Sequence, residues 1–183
     1  MSSSEKEMAI GQKFELLYPQ EKLSARIQEL GRQISDDYAD KNPLLVGVLK
    51  GCVVFMADLI RNITIPIEMD FISASRYTNG QIPEKTVSLE TLQGCALQGR
   101  HILIVEGVVD SGVTIEAIIN DLKKQEPATI EIVTLLDKPG CRRVGVAAKY
   151  KGFDAGDNFV IGYGLDMDQK YRNLPFIGRV INE

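Results

Sequence analysis

The sequence predicts an α/β fold, a mainly parallel sheet flanked by helices, and three observations carry that prediction. The run HILIVEGVV at 101–109 is aliphatic almost throughout, as a strand covered on both faces of a parallel sheet must be. Just behind it, Ile115, Ile118, Ile119 and Leu122 recur at i, i+3, i+4 and i+7, which is one face of a helix. Further apolar runs, PLLVGVLKG and TIEIVTLLD, share the chain with helical patterns, the order from which parallel sheets with covering helices are built. At 183 residues the chain can bury a core without disulfides or a structural metal, so residues 1–183 are expected to form a single domain.

From the N-terminus, Leu23, Ile27, Leu30, Ile34 and Tyr38 are spaced by four and three, predicting a helix from about Glu21 to Tyr38. PLLVGVLKG predicts a short buried strand ending at Lys50-Gly51, and Phe55, Met56, Leu59 and Ile60 the helix after it. IPIEMDFISAS reads as the next strand. RYTNGQIPEKTVS holds Asn79-Gly80 and Pro83 among polar residues, the composition of a mobile surface loop, and TVSLETL reads as a returning strand. After HILIVEGVV and its helix come two more strand-like runs, TIEIVTLLD and NFVIGYGLD, with KPGCRR and YKGFDAGD read as the loops around them.

Composition narrows the function classes. Twenty-one Lys and Arg against 25 Asp and Glu leave a formal charge of −4, with no basic excess to draw the chain onto nucleic acid or an anionic membrane. Three widely separated cysteines, Cys52, Cys95 and Cys141, suggest neither a disulfide framework nor a CxxC metal site, and a reducing cytosol suits them. No segment approaches the roughly 18 apolar residues of a membrane span, so a cytoplasmic location is expected. His101, the single histidine, excludes a histidine-rich metal site and reads as the start of a strand.

Ligands of open parallel sheets gather beyond the carboxyl ends of the strands, where Lys50, Glu106, Asp110, Lys138 and Asp166 all fall. DSGVT, between strand and helix, would present backbone N–H groups at the positive end of the helix dipole, a ready phosphate cradle. Gly112 would permit close approach, and Ser111 and Thr114 would add hydroxyl donors; an ordinary capped turn has the same composition. No GxxxxGK[ST] motif is present. Carboxylates at Glu106 and Asp110 do not bind a phosphate directly. Sugar hydroxyls or a magnesium-bound group would suit them, unless they are solvated loop charges.

ILIVEGVVDSGVT resembles the phosphoribosyl pyrophosphate signature of type I phosphoribosyltransferases. VGVLKG, MDFISASRY, LLDKPGCRR and FVIGYGLDMDQKYRNLPFIG resemble, in this order, segments of the hypoxanthine-guanine phosphoribosyltransferase family. The resemblance implies a type I phosphoribosyltransferase-like fold with a small hood from the N- and C-terminal segments and a mobile lid at about 75–88. It implies purine salvage: a 6-oxopurine, phosphoribosyl pyrophosphate and Mg²⁺ giving IMP or GMP plus pyrophosphate. It also implies a homodimer or homotetramer.

Residue by residue, the resemblance puts the 5′-phosphate on Asp110, Ser111, Gly112, Val113 and Thr114, ribose hydroxyls on Glu106, and Asp110 near purine N7 as the general base. Lys138 would reach the exocyclic oxygen. An ammonium is donor-only, so it should reject adenine, which presents an amino donor there. Phe159 would stack on the purine and Val160 would offer its carbonyl to the base edge. Asp166 would bind Mg²⁺ and Arg172 the pyrophosphate. Lys50-Gly51 matches the pyrophosphate loop, whose peptide before the lysine is often cis, and Tyr77 belongs to the lid.

Two positions depart from the family pattern. Arg76 stands where the family usually has tyrosine, and Gly107 where it has a second acid. Loss of that acid's hydrogen bond would cost roughly 1.5 to 3 kcal/mol, about 10- to 150-fold in binding or rate. A non-catalytic regulator of the same fold, binding nucleotide or RNA, is the alternative that Gly107 raises; the acidic balance disfavours RNA.

Overall fold

The computed structural model describes residues 13–73 and 96–181. Five parallel strands form the main sheet in the order β3-β2-β4-β5-β6: Glu68–Ser73, Leu44–Leu49, His101–Val109, Thr129–Asp137 and Tyr150–Asp154. Helices α1 (Gln20–Asp37) and α2 (Val53–Ile60) cover one face, and α3 (Val113–Leu122) the other. Strand alternation divides the central strand between two cores. Leu103 and Val105 of β4 pack with Leu23, Ile27, Phe55 and Leu59, whereas Ile102 and Ile104 pack with Ile115, Ile118 and Leu122.

All three predicted helical faces turn inward: Leu23, Ile27, Leu30 and Ile34 of α1, Phe55, Met56 and Leu59 of α2, and Ile115, Ile118 and Leu122 of α3 are buried, with Ile60 and Ile119 partly so. His101 opens β4 and its Nδ1 lies 2.9 Å from the Thr129 hydroxyl at the start of β5, a pairing between strands far from the strand ends that gather charge. The segments containing Arg76, Tyr77, the 75–88 lid and TVSLETL lie outside the described residues.

Two readings of the sequence are corrected. YKGFDAGD is not a loop throughout: Tyr150–Asp154 pairs with β5 as the edge strand β6. Gly152 and the charged residues hide it, but Arg26 of α1 covers its outer carbonyls, donating from Nε to Gly152 (3.2 Å) and from Nη2 to Lys151 (2.7 Å). Capping an edge in this way keeps it from pairing with another chain. NFVIGYGLD, conversely, is strand only at β7 (Val160–Ile161). Gly162 and Gly164 then take φ values of 94° and 95°, which turn the chain away from the pleat.

The two chain ends meet in a second, antiparallel sheet of order β1-β8-β7, with β1 at Phe14–Tyr18 and β8 at Ile177–Val180. Side-chain bonds tie it to the main body. Tyr18 donates to the Asp154 carbonyl at 2.7 Å and stacks on Phe153, and the Tyr163 hydroxyl donates to Asp58 of α2. This small sheet stands beside the carboxyl ends of the main strands because its connecting loop, 162–172, folds back over Gly51.

Candidate active site

Strand register brings the first site residues together. Val109 of β4 pairs with Asp137 of β5, so Asp110 and Lys138 leave adjacent strands at the same level. The Lys138 backbone N–H donates to the Val109 carbonyl at 3.0 Å, fixing that level. The Lys138 side chain is buried at 7% exposure, yet among the described residues it has no ion-pair partner. A cation so placed is poised for a neutral acceptor brought in from outside, whereas Asp110 is exposed and open to the same space.

The loop at 110–114 has the geometry an anion needs. Gly112, at φ 80°, is the N-terminal cap of α3 and offers no side-chain cap to the first-turn N–H groups. Val113 and Thr114 begin the helix, and Ser111 precedes the glycine. A dipole end with open N–H donors favours phosphate. Beneath the loop, a Cβ on Gly112 would stand 3.0 Å from Val144 and 3.4 Å from the Arg142 stem, so the glycine sits tight against the 142–146 segment.

Glu106 lies half-buried in β4, and its carboxylate accepts its neighbour's Gly107 N–H at 2.9 Å. Burial pushes its carboxyl up to about 8, against the pull of backbone hydrogen bonds from Gly107 and Val108. Gly107 itself has a steric explanation. A Cβ there would stand 2.8 Å from the Gly51 carbonyl oxygen and 3.1 Å from Leu165 Cδ2. A Cβ on Gly164 would meet the same Gly51 oxygen at 2.5 Å. Gly51 is therefore wedged between β4 and the 162–172 loop, and the three glycines let the backbones approach. In this arrangement Gly107 is a packing residue as well as a missing acid.

The Gly51 wedge joins the third group of site residues to the strand ends. The Leu49–Lys50 peptide is cis, and exposed Lys50 extends to Gln169 (Nζ to Oε1, 3.3 Å). Arg172 donates to the Gly164 carbonyl at 2.8 Å, pairs with Asp166 at 2.7 Å and reaches Gln169 at 3.3 Å. The Gln169 N–H donates to the second Asp166 oxygen at 2.9 Å. Asp168, Gln169 and Tyr171 have φ between 52° and 72°, left-handed residues on either side of Lys170. Gln169 joins three predicted site residues and was not singled out in the sequence; a neutral amide carries no charge signal there.

Phe159 precedes β7 and is 53% exposed, while Val160 beside it is buried. Phe159 remains an open aromatic face, with its backbone held by a 2.9 Å bond from Val180 N–H to its carbonyl.

This arrangement of a glycine-capped helix start, a buried cation, an exposed acid and an open aromatic face has known relatives. The phosphoribosyl transferase domain model matches residues 15–169. The hypoxanthine-guanine phosphoribosyltransferase of Bacillus subtilis is 41% identical over 163 residues, covering 89% of this chain and 91% of the relative. The chain belongs to the hypoxanthine phosphoribosyltransferase family. A crystal structure of a hypoxanthine phosphoribosyltransferase from Staphylococcus aureus matches with a TM-score of 0.85 at 38% identity, covering 91% of each chain. The bifunctional protein TilS/HprT of Listeria innocua is 42% identical over 163 residues, but the chain spans only 25% of its length. The type I phosphoribosyltransferase architecture is thus common to this chain and its structural neighbours. No helix among the described residues is long and apolar enough to cross a membrane.

Proposed function

We infer that this phosphoribosyltransferase moves the 5-phosphoribosyl group of phosphoribosyl pyrophosphate onto hypoxanthine or guanine, giving IMP or GMP and pyrophosphate. The observation that carries the choice of base is buried Lys138, without an ion pair among the described residues and held level with Asp110 by the Val109–Asp137 pairing. An ammonium donates and does not accept, so it matches the exocyclic oxygen of a 6-oxopurine and opposes the amino group of adenine.

In this reading, Phe159 supplies a stacking surface for the purine and the Val160 carbonyl faces its edge. Residues 110–114 hold the 5′-phosphate, and Glu106 accepts from ribose hydroxyls. The bond from purine N9 to the ribosyl C1′ forms as the C1′–O bond to pyrophosphate breaks. Asp110 takes the proton that the base gives up, through its N7 edge. Lys50-Gly51 and Arg172 receive the leaving pyrophosphate, where cationic donors offset developing negative charge.

Among the described residues, no group of three or more His, Cys, Asp and Glu could hold a metal by itself. Asp166 is a single carboxylate at the pyrophosphate side, a donor set suited to Mg²⁺, which is commonly bound through one or two carboxylates plus substrate phosphates. Bound there, Mg²⁺ would supply charge neutralisation of the pyrophosphate. The steric role of Gly107 supports an enzyme over a regulator, since the glycine then needs no loss of function to explain it.

The test is nucleotide formation from phosphoribosyl pyrophosphate with hypoxanthine, guanine, xanthine and adenine, with and without Mg²⁺. Turnover of hypoxanthine or guanine, dependent on Mg²⁺ and absent with adenine, is expected. Adenine turnover equal to that of hypoxanthine would contradict the role of Lys138, and no turnover of any base would contradict the enzyme reading.

A further inference from the structure

Arg142 lies outside the set of residues that face substrate, yet it touches the ends of β4 and β5, from which Asp110 and Lys138 emerge. Its Nη1 donates to the Val109 carbonyl at 2.7 Å and also to the Asp110 carbonyl. Its Nη2 pairs with Asp137, the residue before Lys138, and its Nε donates to the Val146 carbonyl at 3.1 Å. Its Cδ lies against Gly112, where an added Cβ would be 3.4 Å away. The Arg142 side chain is 15% exposed and that of Asp137 only 5%.

We propose that Arg142 is a positioning residue that sets the distance between the proton acceptor Asp110, the base-reading Lys138 and the phosphate loop. This rests on the roles inferred above for Asp110 and Lys138. The guanidinium is a planar fork with five donors, so it can bond two successive carbonyls of one strand end and a carboxylate of the next at once. The last backbone bond between these strands runs from the Lys138 N–H to the Val109 carbonyl, and Asp110 comes one step beyond it. Beyond that point Arg142 continues the cross-connection. Asp137 also pairs with Lys151 at 2.9 Å, so the buried carboxylate keeps a cation when Arg142 is altered.

A lysine at 142 would keep the charge near Asp137 but lose the fork. Misplacement of reacting groups by about 1 Å can cost 10²-fold in rate, so Arg142→Lys is expected to lower kcat about 10- to 100-fold. Its KM for phosphoribosyl pyrophosphate should rise by less than kcat falls, because the 5′-phosphate loop is loosened while the pyrophosphate contacts are elsewhere. Amide hydrogen exchange should quicken at 109–114 and 138–143 while β2 and α1 keep their protection. Arg142→Gln, which also lacks the positive charge, is the second variant and should show the same local pattern with a larger kcat loss.

Wild-type kcat in a folded Arg142→Lys protein would overturn the proposal, as would unchanged exchange at 109–114. Exchange that quickens across the whole sheet in both variants would also overturn it, since Arg142 would then be a general stabiliser. The exchange experiment does not need turnover. If the wild-type protein forms no nucleotide, the functional reading fails while exchange at 109–114 still decides whether Arg142 holds the strand ends.

Discussion

The proposed purine side and the proposed pyrophosphate side of the site are built on opposite plans. At the purine side, charges sit on the ends of β4 and β5, where Lys138 and Asp137 are buried and the strand register fixes their level. At the pyrophosphate side, Lys50, Asp166, Gln169 and Arg172 sit on loops and satisfy one another, with both side chains of the Asp166–Arg172 pair about a quarter exposed. The first half is preorganised and the second is self-paired. On the proposed assignment, the pyrophosphate group of the donor must exchange internal bonds for its own, whereas the purine meets donors and acceptors already in place. Selectivity for the base should reside in the rigid half, and affinity for the phosphoribosyl donor in the adaptable one.

The largest effect should come from the rigid half. Asp110→Asn keeps the shape of the side chain but removes the proton acceptor, and should lower kcat about 10²- to 10⁴-fold with the KM for phosphoribosyl pyrophosphate little changed. A steady-state kinetic comparison checks this. A fall in affinity without a fall in kcat would place Asp110 on the wrong side of the comparison.

Next comes the seam between the halves. Gly107→Ala pushes on the Gly51 carbonyl, and overpacking of this kind costs about 1–3 kcal/mol of stability. Displacing Gly51 should also raise the KM for phosphoribosyl pyrophosphate more than that for hypoxanthine. Chemical denaturation and kinetics together read it. Unchanged stability would mean that the three-glycine contact is loose.

Glu106 gives a smaller, pH-dependent effect. Burial lifts its carboxyl to about 8 from an ordinary value of 4.5, so the folded ligand-free protein binds a proton that the unfolded chain releases. Its contribution to stability is fully present below the unfolded value and is lost as pH rises through the folded one. The melting temperature of the wild type should therefore fall from about pH 6 to about pH 9 relative to Glu106→Gln. Parallel profiles would remove Glu106 as the cause.

The smallest effect belongs to the exposed half. Gln169→Ala removes a neutral bridge between Lys50 and Arg172, and should raise the KM for phosphoribosyl pyrophosphate about two- to fivefold, the scale of exposed polar contacts. A kcat loss matching that of Asp110→Asn would erase the distinction between the two halves.

The same division explains what could be read in the sequence. Strands β2, β4 and β5 are legible because burial on both faces demands unbroken aliphatic runs, and Lys50, Asp110 and Lys138 are legible because they interrupt those runs at the carboxyl ends. Strand β6 escaped detection because its edge is protected by Arg26, a residue more than a hundred positions away. Gln169 and Arg142 were missed for a related reason: their meaning lies in partners brought together by folding. Gly107 looked like a deletion of charge because one dimension gives no sign of Gly51 and Gly164 closing on it.

The central claim is that buried Lys138 reads the exocyclic group of the base. The most direct measurement is kcat/KM for hypoxanthine and for adenine in the wild type and in Lys138→Gln, whose amide can accept as well as donate. The hypoxanthine value should fall about 10- to 150-fold while the adenine value holds or rises, so that the preference collapses. An unchanged preference in the folded variant would contradict it and assign base selection to another group.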